Sequence, residues 1–330
     1  MKKKIKSILI INTGGGVGDA IQYVKLFKIL NKEFQKIKID YYSTDLNNFW
    51  FDNILKSLKP NNVNVIKDYP LHFGFRIKHF FLKKQYFRKK YDLIIDTQTK
   101  IRNTLIYKKI PHKVFLSFSA RGILSNPIIF QKKQKHVQKR FVEYLENFLQ
   151  KKINLETTKI NVKNKYQNEA NRLINNKNKY IGFSIKAGHP TRIKEFDINE
   201  IIKTAIFFKN KNYVPTFFLE EKHKKIINKI TKKIPEAYFP EHKAKKEFKN
   251  PALVIALGKK MKFNISINNG VMHMLALSER KIFCFFDENS EKFKPIAKDA
   301  LIYDCQKLNK KINLLKSKEI IKFITNNTKL

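Results

Sequence analysis

Two segments of this sequence run from an apolar strand through a turn of small or amide residues into a predicted helix. The first reads ILIINTGGGVGD over residues 8–19, and the second reads ISINNGVMH over residues 265–273. Such a turn directs backbone N–H groups and the positive end of the helix toward a bound anion. The second segment therefore predicts a phosphate cradle at Asn269, Gly270 and Val271. One such turn in each half indicates two nucleotide-fold domains.

Asp19 is the carboxylate that follows the glycines of the first turn. A carboxylate at the start of a helix can accept a proton from a hydroxyl group and so act as a general base. Aspartate is also common at helix starts as a cap for backbone N–H groups. The residue pattern alone leaves both roles open. The glycines around it, Gly16 and Gly18 among them, leave room for an acceptor phosphate bound by the backbone.

A basic stretch in the second half could contact the rest of a nucleotide diphosphate. It reads KAGHPTRIKEF over residues 186–196 and includes Lys194, whose cation could neutralise charge on a departing diphosphate without a metal. Thr191 and Arg192 are further candidates for phosphate ligands. Because the chain contains 69 Lys and Arg, a solvated surface lysine is the alternative at residue 194.

Glu220 and Glu221 directly follow a predicted strand. Acidic residues at the carboxyl end of a strand in a wound sheet commonly bind ribose hydroxyls, although acids are also frequent in the first turn of a solvated helix. Register does not distinguish between the two residues. No cluster of His, Cys and carboxylate residues has metal-ligand spacing, so we expect no metal requirement.

Short apolar runs alternate with amphipathic segments, which is typical of strand–helix–strand units that form a parallel sheet. In the first half we predict strands at residues 7–12, 39–43, 63–67, 92–96 and 114–118, and helices at 20–30 and 137–149. In the second half we predict strands at 180–185, 214–219, 264–267, 282–286 and 301–303, and helices at 198–209, 223–232, 272–277 and 317–325.

A chain of 330 residues exceeds the usual size of one hydrophobic core. We place the domain boundary in the Lys- and Asn-rich stretch 150–179, which contains a short predicted strand at 159–162. Residues 1–165 then form an N-terminal domain, and residues 166–330 form a C-terminal domain. We expect the last helix, 317–325, to pack back on the N-terminal domain.

The formal net charge is +42, from 69 Lys and Arg against 27 Asp and Glu. Nucleic acid, an anionic membrane and a phosphorylated substrate would all be attracted by this field, so charge alone does not choose between them. The lysines are spread over the whole chain among many Asn and Ile, as a bias in genome composition also produces. No zinc-finger or RNA-recognition motif is present, and we therefore expect no nucleic-acid partner.

Residues 72–91 are basic and carry aromatic and aliphatic side chains at helical spacing. This pattern predicts an amphipathic helix that either lies on an anionic membrane surface or packs its aromatic side into the core. No apolar run approaches the length of a membrane span, and the run near the N-terminus is too short for a signal peptide. The two cysteines, Cys284 and Cys305, fit a core in a reducing compartment. We expect a cytoplasmic protein that is soluble or peripheral on a membrane.

The sequence resembles glycosyltransferase family 9, the family of the ADP-heptose:lipopolysaccharide heptosyltransferases. The resemblance extends over most of the chain and rests on five short motifs in the family's order. These are Gly18-Asp19, YDLIIDTQ over 91–98, His136-Val137, AGHP over 187–190 and GVMH over 270–273. The resemblance implies a GT-B type α/β fold with two facing Rossmann-like domains, of which residues 1–165 bind the acceptor and residues 166–330 bind the nucleotide-sugar. It also implies metal-independent transfer, with inversion, of heptose from ADP-heptose to a lipid A–core or other glycolipid acceptor.

The resemblance further implies roles for individual residues. Asp19 matches the family's catalytic base, and Lys194 matches the lysine that contacts the donor diphosphate. Glu220 fits the acidic residue of the ribose-binding loop, and His273 matches the family's histidine. Asn268 stands where the family has an aspartate that binds the donor sugar, so it keeps a hydrogen-bonding shape but loses the charge. The nucleotide-sugar is a substrate, and we expect no separate cofactor.

Two other functions remain open at this point. Asn268 in place of aspartate favours a catalytically impaired homologue that binds a nucleotide-sugar. The loose glycine pattern at residues 14–18, with Asp45 after the second predicted strand, would instead suit a nucleotide-dependent epimerase or oxidoreductase. A preference for nicotinamide nucleotides, for nucleotide-sugars or for neither distinguishes these functions.

Overall fold

A computed structural model describes residues 5–12, 16–34, 36–43, 50–70, 72–82, 87, 89–130, 136–187 and 194–328. The chain divides into two compact units, Met1–Thr158 and Lys159–Leu330. Each unit contains one five-stranded sheet in which all strands are parallel. The α/β class with parallel sheets, predicted from the alternation of apolar and amphipathic segments, is confirmed.

The first unit has strand order β3-β2-β1-β4-β5. Its strands are β1 (Ser7–Ile11), β2 (Lys38–Tyr42), β3 (Val63–Ile66), β4 (Tyr91–Asp96) and β5 (His112–Ser117), and its helices are α1 (Val17–Ile21), α2 (Tyr23–Glu33), α3 (Ile101–Tyr107) and α4 (Val137–Leu149). All five strands lie where the sequence predicts them, because each is a short run of β-branched and aromatic residues that the sheet buries. The helix α3 is an addition to the prediction.

Aromatic side chains fill both faces of the first sheet. On one face the rings of Tyr23, Phe27, Tyr41 and Phe51 pack edge to face, with centroids between 5.1 and 5.8 Å apart in the closest pairs. The opposite face is covered by a buried cluster to which the loop after β3 and the helix α3 contribute. The first unit is therefore built as three layers, with the sheet in the middle.

The amphipathic helix predicted over residues 72–91 is wrong for the part that the structure describes. That part contains only a 3₁₀ helix, Ile77–Phe81. Gly74 interrupts any longer helix, because its φ is +91° and a Cβ there would lie 2.2 Å from the hydroxyl oxygen of Tyr107. The aromatic side chains divide between two environments, since Phe73 is buried in the core and Phe81 is exposed.

The second unit has strand order β10-β9-β8-β6-β7. Its strands are β6 (Lys179–Ser184), β7 (Tyr213–Phe217), β8 (Met261–Ile267), β9 (Ile282–Phe286) and β10 (Ala300–Asp304), and its helices are α5 (Asn164–Leu173), α6 (Ile198–Lys209), α7 (Lys224–Lys233), α8 (Pro251–Gly258), α9 (Gly270–Ala276), α10 (Ser290–Phe293) and α11 (Ser317–Thr325). The five predicted strands and four predicted helices are all present. The predicted strand at 159–162 is wrong, since no strand lies there.

Two details of the predicted domain organisation differ from the structure. The division falls after Thr158, and the predicted boundary after residue 165 lies inside α5, which packs against α8 of the second unit. The helix α11 packs against α6, with Ile320 and Ile324 buried in the core of the second unit. Its apolar face is therefore used within its own unit, which was not predicted, while packing of this helix on the N-terminal domain stays a prediction.

Among the described residues, no helix combines the length and hydrophobicity that crossing a bilayer requires. Cys284 and Cys305 are both free thiols buried in the second unit. Burial raises the pKa of the Cys305 thiol to about 12 and that of Cys284 still further. Both cysteines therefore serve as small apolar core residues.

Candidate functional site

In each sheet the chain adds strands first on one side of its first strand and then on the other side. The strand order therefore reverses direction at that first strand. In the first sheet this strand is β1, between β2 and β4, and in the second it is β6, between β7 and β8. Ligands of open parallel sheets bind beyond the carboxyl ends of the strands at such a switch point. Asp19 follows β1, and the segment 268–271 follows β8. The predicted residues of both units therefore lie at the topologically expected edges.

Asn269 joins the ends of β8 and β6 through its side chain. Its Oδ1 accepts the N–H of Met272 at 2.8 Å, and its Nδ2 donates to Ser184 Oγ at 2.9 Å and to the carbonyl of Lys186 at 3.0 Å. These bonds use the donor hydrogens of the amide, so the side chain caps α9 and fixes the turn. If Asn269 contacts a bound diphosphate, it does so through its backbone N–H.

The predicted phosphate cradle is formed by the first residues of α9. The N–H groups of Gly270 and Val271 precede the first hydrogen bond within the helix, and both residues are partly exposed. Asn268 is half-buried, and its backbone N–H donates to the carbonyl of Phe285 at 3.2 Å. His273 is only 8% exposed, so most of its ring packs inside the unit. The contact of His273 with a bound nucleotide-sugar stays a prediction.

Lys194 lies just after the segment 188–193, which is outside the described residues and contains the predicted phosphate ligand Thr191. The residues flanking that segment pair antiparallel, with the N–H of Ala187 donating to the carbonyl of Lys194 at 2.8 Å. The ammonium group of Lys194 forms ion pairs with Glu288 and, at 3.8 Å, with Asp287. Its side chain is 15% exposed. The fold therefore holds this cation near the ends of β6 and β9.

Asp287 and Glu288 were not among the predicted site residues. They directly follow the apolar run of β9, so they occupy the same carboxyl edge as the cradle. That position is the signal in the sequence that could have identified them, because charged residues after a buried strand mark the binding edge of a wound sheet. A bound diphosphate would compete with both carboxylates for Lys194.

Glu220 and Glu221 lie beyond the end of β7, and both side chains are about 60% exposed. Glu220 pairs with Lys222, and Glu221 pairs with Lys249 at 2.6 Å. Burial, with a smaller contribution from the charge of Glu220, raises the pKa of Glu241 to about 7. A second titratable carboxyl group therefore stands near Glu220, and sequence reasoning missed it because it lies 21 residues further along the chain.

In the first unit, Asp19 occupies the first turn of α1. Its Oδ2 accepts the N–H of Gly16 at 3.0 Å, and its own N–H donates to the carbonyl of Gly16 at 3.0 Å. The helix-capping role of Asp19 is thus confirmed, while its role as a base stays a prediction. A Cβ at Gly16 would meet no atom of the described residues within 4 Å, and binding of an acceptor phosphate there stays a prediction. Gly18 accepts a weak bond from Gln22 at 3.4 Å.

A fully buried carboxyl group, Asp96, ends the neighbouring strand β4. It accepts hydrogen bonds from Thr104 Oγ1 at 2.6 Å, from the N–H of Gln98 at 2.9 Å and from Ser117 Oγ at 3.1 Å. Burial raises the pKa of Asp96 to about 7, although these hydrogen bonds act in the opposite direction. Asp96 lies within the motif 91–98, but sequence reasoning assigned it no role.

The residue after Asp96 connects β4 to β1. Thr97 Oγ1 donates to the carbonyl of Ile11 at 2.8 Å and accepts from the hydroxyl of Tyr23 at 3.1 Å. The motif residue His136 has a structural role, since its Nδ1 accepts the N–H of Gln138 at 3.2 Å and caps α4. These contacts explain two of the shared motifs by the positioning of backbone rather than by chemistry on a substrate.

Across the described residues, no group of three or more His, Cys, Asp or Glu side chains is arranged to hold a metal ion. The cationic and backbone N–H groups near the ends of β6 and β8 are the parts suited to a diphosphate. The geometry thus supports an anion-binding edge in the second unit and, described separately, a carboxylate at a helix start in the first unit.

The profile described as glycosyltransferase family 9 (heptosyltransferase) matches residues 80–322, which is well over half of the chain. No curated protein sequence gives a significant match. The resemblance inferred from the ordered motifs is confirmed by the family match.

Solved structures with the same fold include two Escherichia coli heptosyltransferases. WaaC with ADP-2-deoxy-2-fluoro heptose has a TM-score of 0.67 at 15% identity, over 98% of this chain and 100% of that one. ADP-heptose lps heptosyltransferase II has a TM-score of 0.65 at 15% identity, over 97% and 98%. UDP-GlcNAc 2-epimerase from Neisseria meningitidis, bound to UDP-GlcNAc, has a TM-score of 0.54 at 14% identity, over 97% and 90%. The predicted GT-B type fold is confirmed by the heptosyltransferase matches.

Proposed function

We propose that this chain, which belongs to glycosyltransferase family 9, transfers heptose with inversion from ADP-heptose to a lipid A–core or other glycolipid acceptor. The observation that carries the proposal is the placement of anion-binding groups, Lys194 and the N–H groups of Gly270 and Val271, at the switch-point edge of the second sheet. The related WaaC structure with ADP-2-deoxy-2-fluoro heptose supports an adenosine diphosphate sugar as the donor.

In the proposed reaction, the carboxylate of Asp19 accepts the proton of an acceptor hydroxyl. The oxygen of that hydroxyl then forms a bond to the anomeric carbon of the donor, and the bond from that carbon to the diphosphate oxygen breaks. The electron pair of the broken bond stays on the diphosphate, where Lys194 and the cradle N–H groups stabilise the added charge. Glu220 binds the ribose hydroxyls, and Asn268 contacts the transferred sugar. No step requires a metal ion.

We place the enzyme in the cytoplasm at the inner face of the inner membrane, because a glycolipid acceptor is anchored there. The backbone around Gly16 and Gly18 would bind an acceptor phosphate, since the space beside Gly16 is open. Thr191 would supply a further hydroxyl to the donor diphosphate.

The sharpest test is the substitution Asp19→Asn, assayed by transfer of labelled heptose to a lipid A–core acceptor. The Asn side chain can still accept the N–H of Gly16, so the cap is kept while the base is lost. We expect the rate to fall about 10²- to 10⁴-fold with unchanged ADP affinity. Asp197→Asn is the matched control, because Asp197 caps α6 by accepting the N–H groups of Asn199 and Glu200. An equal rate in wild type and Asp19→Asn would refute the assignment of the base.

A second candidate function is a catalytically impaired homologue that binds a nucleotide-sugar, and Asn268 is the observation that favours it. Thermal shifts with ADP-heptose, UDP-GlcNAc and NAD compare this candidate with the others. Stabilisation by ADP-heptose without transfer by wild type supports the impaired homologue, and restoration of transfer by Asn268→Asp would establish it. Stabilisation by UDP-GlcNAc or NAD alone would instead favour an epimerase or an oxidoreductase.

A further inference from the structure

The first unit exposes an unusual concentration of large apolar side chains. Among the described residues, seven of the ten exposed large apolar side chains lie between residues 77 and 130. Two of them are on the 3₁₀ helix Ile77–Phe81, where Ile77 is 66% exposed and Phe81 is 80% exposed. Two others are on α3, where Ile101 is 54% exposed and Leu105 is 41% exposed. Side chains this exposed leave a large part of their apolar surface in contact with solvent.

These four side chains belong to one surface, which we call the 77–105 face. Ile101, Leu105 and Lys109 follow one another at intervals of four residues, so they line one side of α3 and its extension. The ammonium group of Lys109 donates to the carbonyls of Phe80 and, at 3.3 Å, Leu82. The 3₁₀ helix that carries Ile77 and Phe81 is thus joined to the end of the α3 stripe.

Both segments also rest on the same side of the first sheet. Tyr107 of α3 donates its hydroxyl hydrogen to the carbonyl of Phe73 at 2.9 Å, and both residues belong to the buried cluster on that side. Phe80 packs against the cluster, while its neighbour Phe81 is exposed. The inner side chains therefore hold the 3₁₀ helix and α3 in place, and the outer ones form the 77–105 face.

The part of the sequence that carries this face is more basic than the composition of the whole chain explains. Residues 69–142 contain 18 Lys and Arg but only two acids, Asp92 and Asp96. At the overall ratio of 69 to 27, 18 basic residues would be accompanied by about seven acidic ones. Of the two acids, Asp96 is buried and Asp92 pairs with Lys113 at 2.6 Å. A bias in genome composition alone would not remove the acids from one region.

The exposed cations lie directly beside the exposed apolar side chains. Arg76 and Lys78 flank Ile77, and Arg102 follows Ile101, and all three basic residues are exposed. Within the described residues, none of the three forms an ion pair with a carboxylate. Their charges are therefore not neutralised by a neighbouring carboxylate and can attract an anionic partner to this face.

We propose that the 77–105 face docks on the surface of an anionic phospholipid bilayer. Apolar side chains enter the boundary between headgroups and acyl chains, and the cations beside them bind the phosphates of the headgroups. This inference extends the lipid-linked acceptor of the proposed function, but binding to lipid needs neither the donor nor the acceptor. The two ideas can therefore fail separately.

The first experiment measures sedimentation of the full chain with large vesicles of phosphatidylcholine, with and without phosphatidylglycerol. We expect binding only to the vesicles that contain phosphatidylglycerol. The double variant Ile77→Ser/Phe81→Ser should lower the partition coefficient about tenfold, because insertion of the apolar side chains is lost. The matched control is Leu308→Ser/Leu314→Ser, which removes two side chains of similar exposure, 52% and 59%, from the second unit.

A second pair of variants separates local from overall charge. Arg76→Glu/Lys78→Glu and Lys225→Glu/Lys229→Glu lower the net charge equally, and the second pair replaces exposed lysines of α7. We expect only the first pair to weaken binding strongly. Equal losses within either matched comparison would show that binding reflects the net charge, and would overturn the proposal. Failure of wild type to prefer the anionic vesicles would also overturn it.

Catalysis provides the link to the proposed function. Ile77→Ser/Phe81→Ser should leave the rate on a water-soluble acceptor without acyl chains unchanged, while it slows transfer to acceptor embedded in anionic vesicles. If the variant binds vesicles as well as wild type does, the docking surface is wrong even where transfer is observed. If wild type binds through this face but transfers no sugar, the proposed function is wrong and the docking surface stands.

Discussion

The carboxyl edges of the two sheets are held together by different chemistry. In the second unit an amide, Asn269, connects the ends of β8 and β6 by two hydrogen bonds and caps α9 by a third. In the first unit a buried carboxyl, Asp96, connects the end of β4 to α3 and β5 through Thr104 and Ser117. An amide does not titrate in the physiological range, whereas a buried carboxyl does. The comparison teaches that the same topology can join its strand ends through a group that titrates near neutral pH or through one that does not titrate.

The largest effect should come from the pH dependence of Asp96. The pKa of Asp96 is about 7 in the folded chain, above the 3.8 of the free side chain. The contribution of Asp96 to the free energy of unfolding is therefore fully present below pH 4 and is lost as the pH rises toward 7. At about 1.4 kcal/mol per pKa unit, the loss is at most about 4 kcal/mol. We expect Asp96→Asn to remove this slope from the free energy of unfolding, measured with urea between pH 4 and 7.

Asp92, in the same strand β4, supplies a control, because its contribution to stability depends on pH in the opposite direction. Burial alone would raise its pKa, but hydrogen bonds from Lys113 and from the N–H groups of Lys6 and Ser7 outweigh burial and lower the pKa to about 2. The stability due to Asp92 is therefore present above pH 4 and lost as the pH falls toward 2. Parallel unfolding curves for wild type and Asp96→Asn from pH 4 to 7 would contradict the first prediction.

Asn269 holds the carboxyl edge of the second sheet, and we expect Asn269→Ala to lower the free energy of unfolding by about 2 to 3 kcal/mol. The variant removes the cap of α9 and leaves the fully buried hydroxyl of Ser184 without this partner. We also expect weaker ADP binding, measured by calorimetry, because the turn at Gly270 is no longer fixed to β6.

Asn250→Ala is the matched comparison within the same unit. Asn250 caps α8 by accepting the N–H of Ala252 at 3.0 Å, but it is not part of the edge beyond β6 and β8. We expect a loss of about 1 kcal/mol in stability and unchanged ADP affinity. If both variants weakened ADP binding to the same extent, the special role of the Asn269 edge would be disproved.

The smallest effects should come from the ion pairs of Lys194. We expect Lys194→Ala to weaken ADP binding about tenfold and Glu288→Gln to strengthen it about threefold, because the diphosphate then competes with one fewer carboxylate. Lys203→Ala is the control, since Lys203 pairs with Glu200 at 2.8 Å on α6. If the two variants change ADP affinity in opposite directions and added salt reduces both changes, the assignment of Lys194 as a ligand of the diphosphate is strengthened. Weaker ADP binding by Glu288→Gln would count against that assignment.

Some elements were predictable from local pattern, and others were not. The strands β1 and β9 are short apolar runs between polar residues, and the helix α6 begins at a strong cap, Asp197. The helix α8 was missed because its eight residues are all buried and carry no amphipathic period. The helix predicted over 72–91 failed because Gly74 adopts a positive φ, and Tyr107 of the separate helix α3 occupies the space that a Cβ at residue 74 would need.

The candidate site shows the same division. Its position after β8 and β1 was predictable, because turns from strand to helix have a local signature of small and amide residues. The use of the Asn269 side chain was not predictable, since its partners Ser184 and Lys186 lie more than 80 residues earlier. The pairing of Lys194 with Asp287 and Glu288, more than 90 residues away, has the same origin.

The sequence by itself determined the two parallel α/β units, the order of their strands along the chain and the family, since these follow from hydrophobic period and from short ordered motifs. The tertiary structure alone decided which polar side chains hold the edges and which titrate away from their usual pKa. The physical reason is that hydrogen bonding and desolvation depend on neighbours in space, and the parallel crossovers bring together residues that are far apart in the chain.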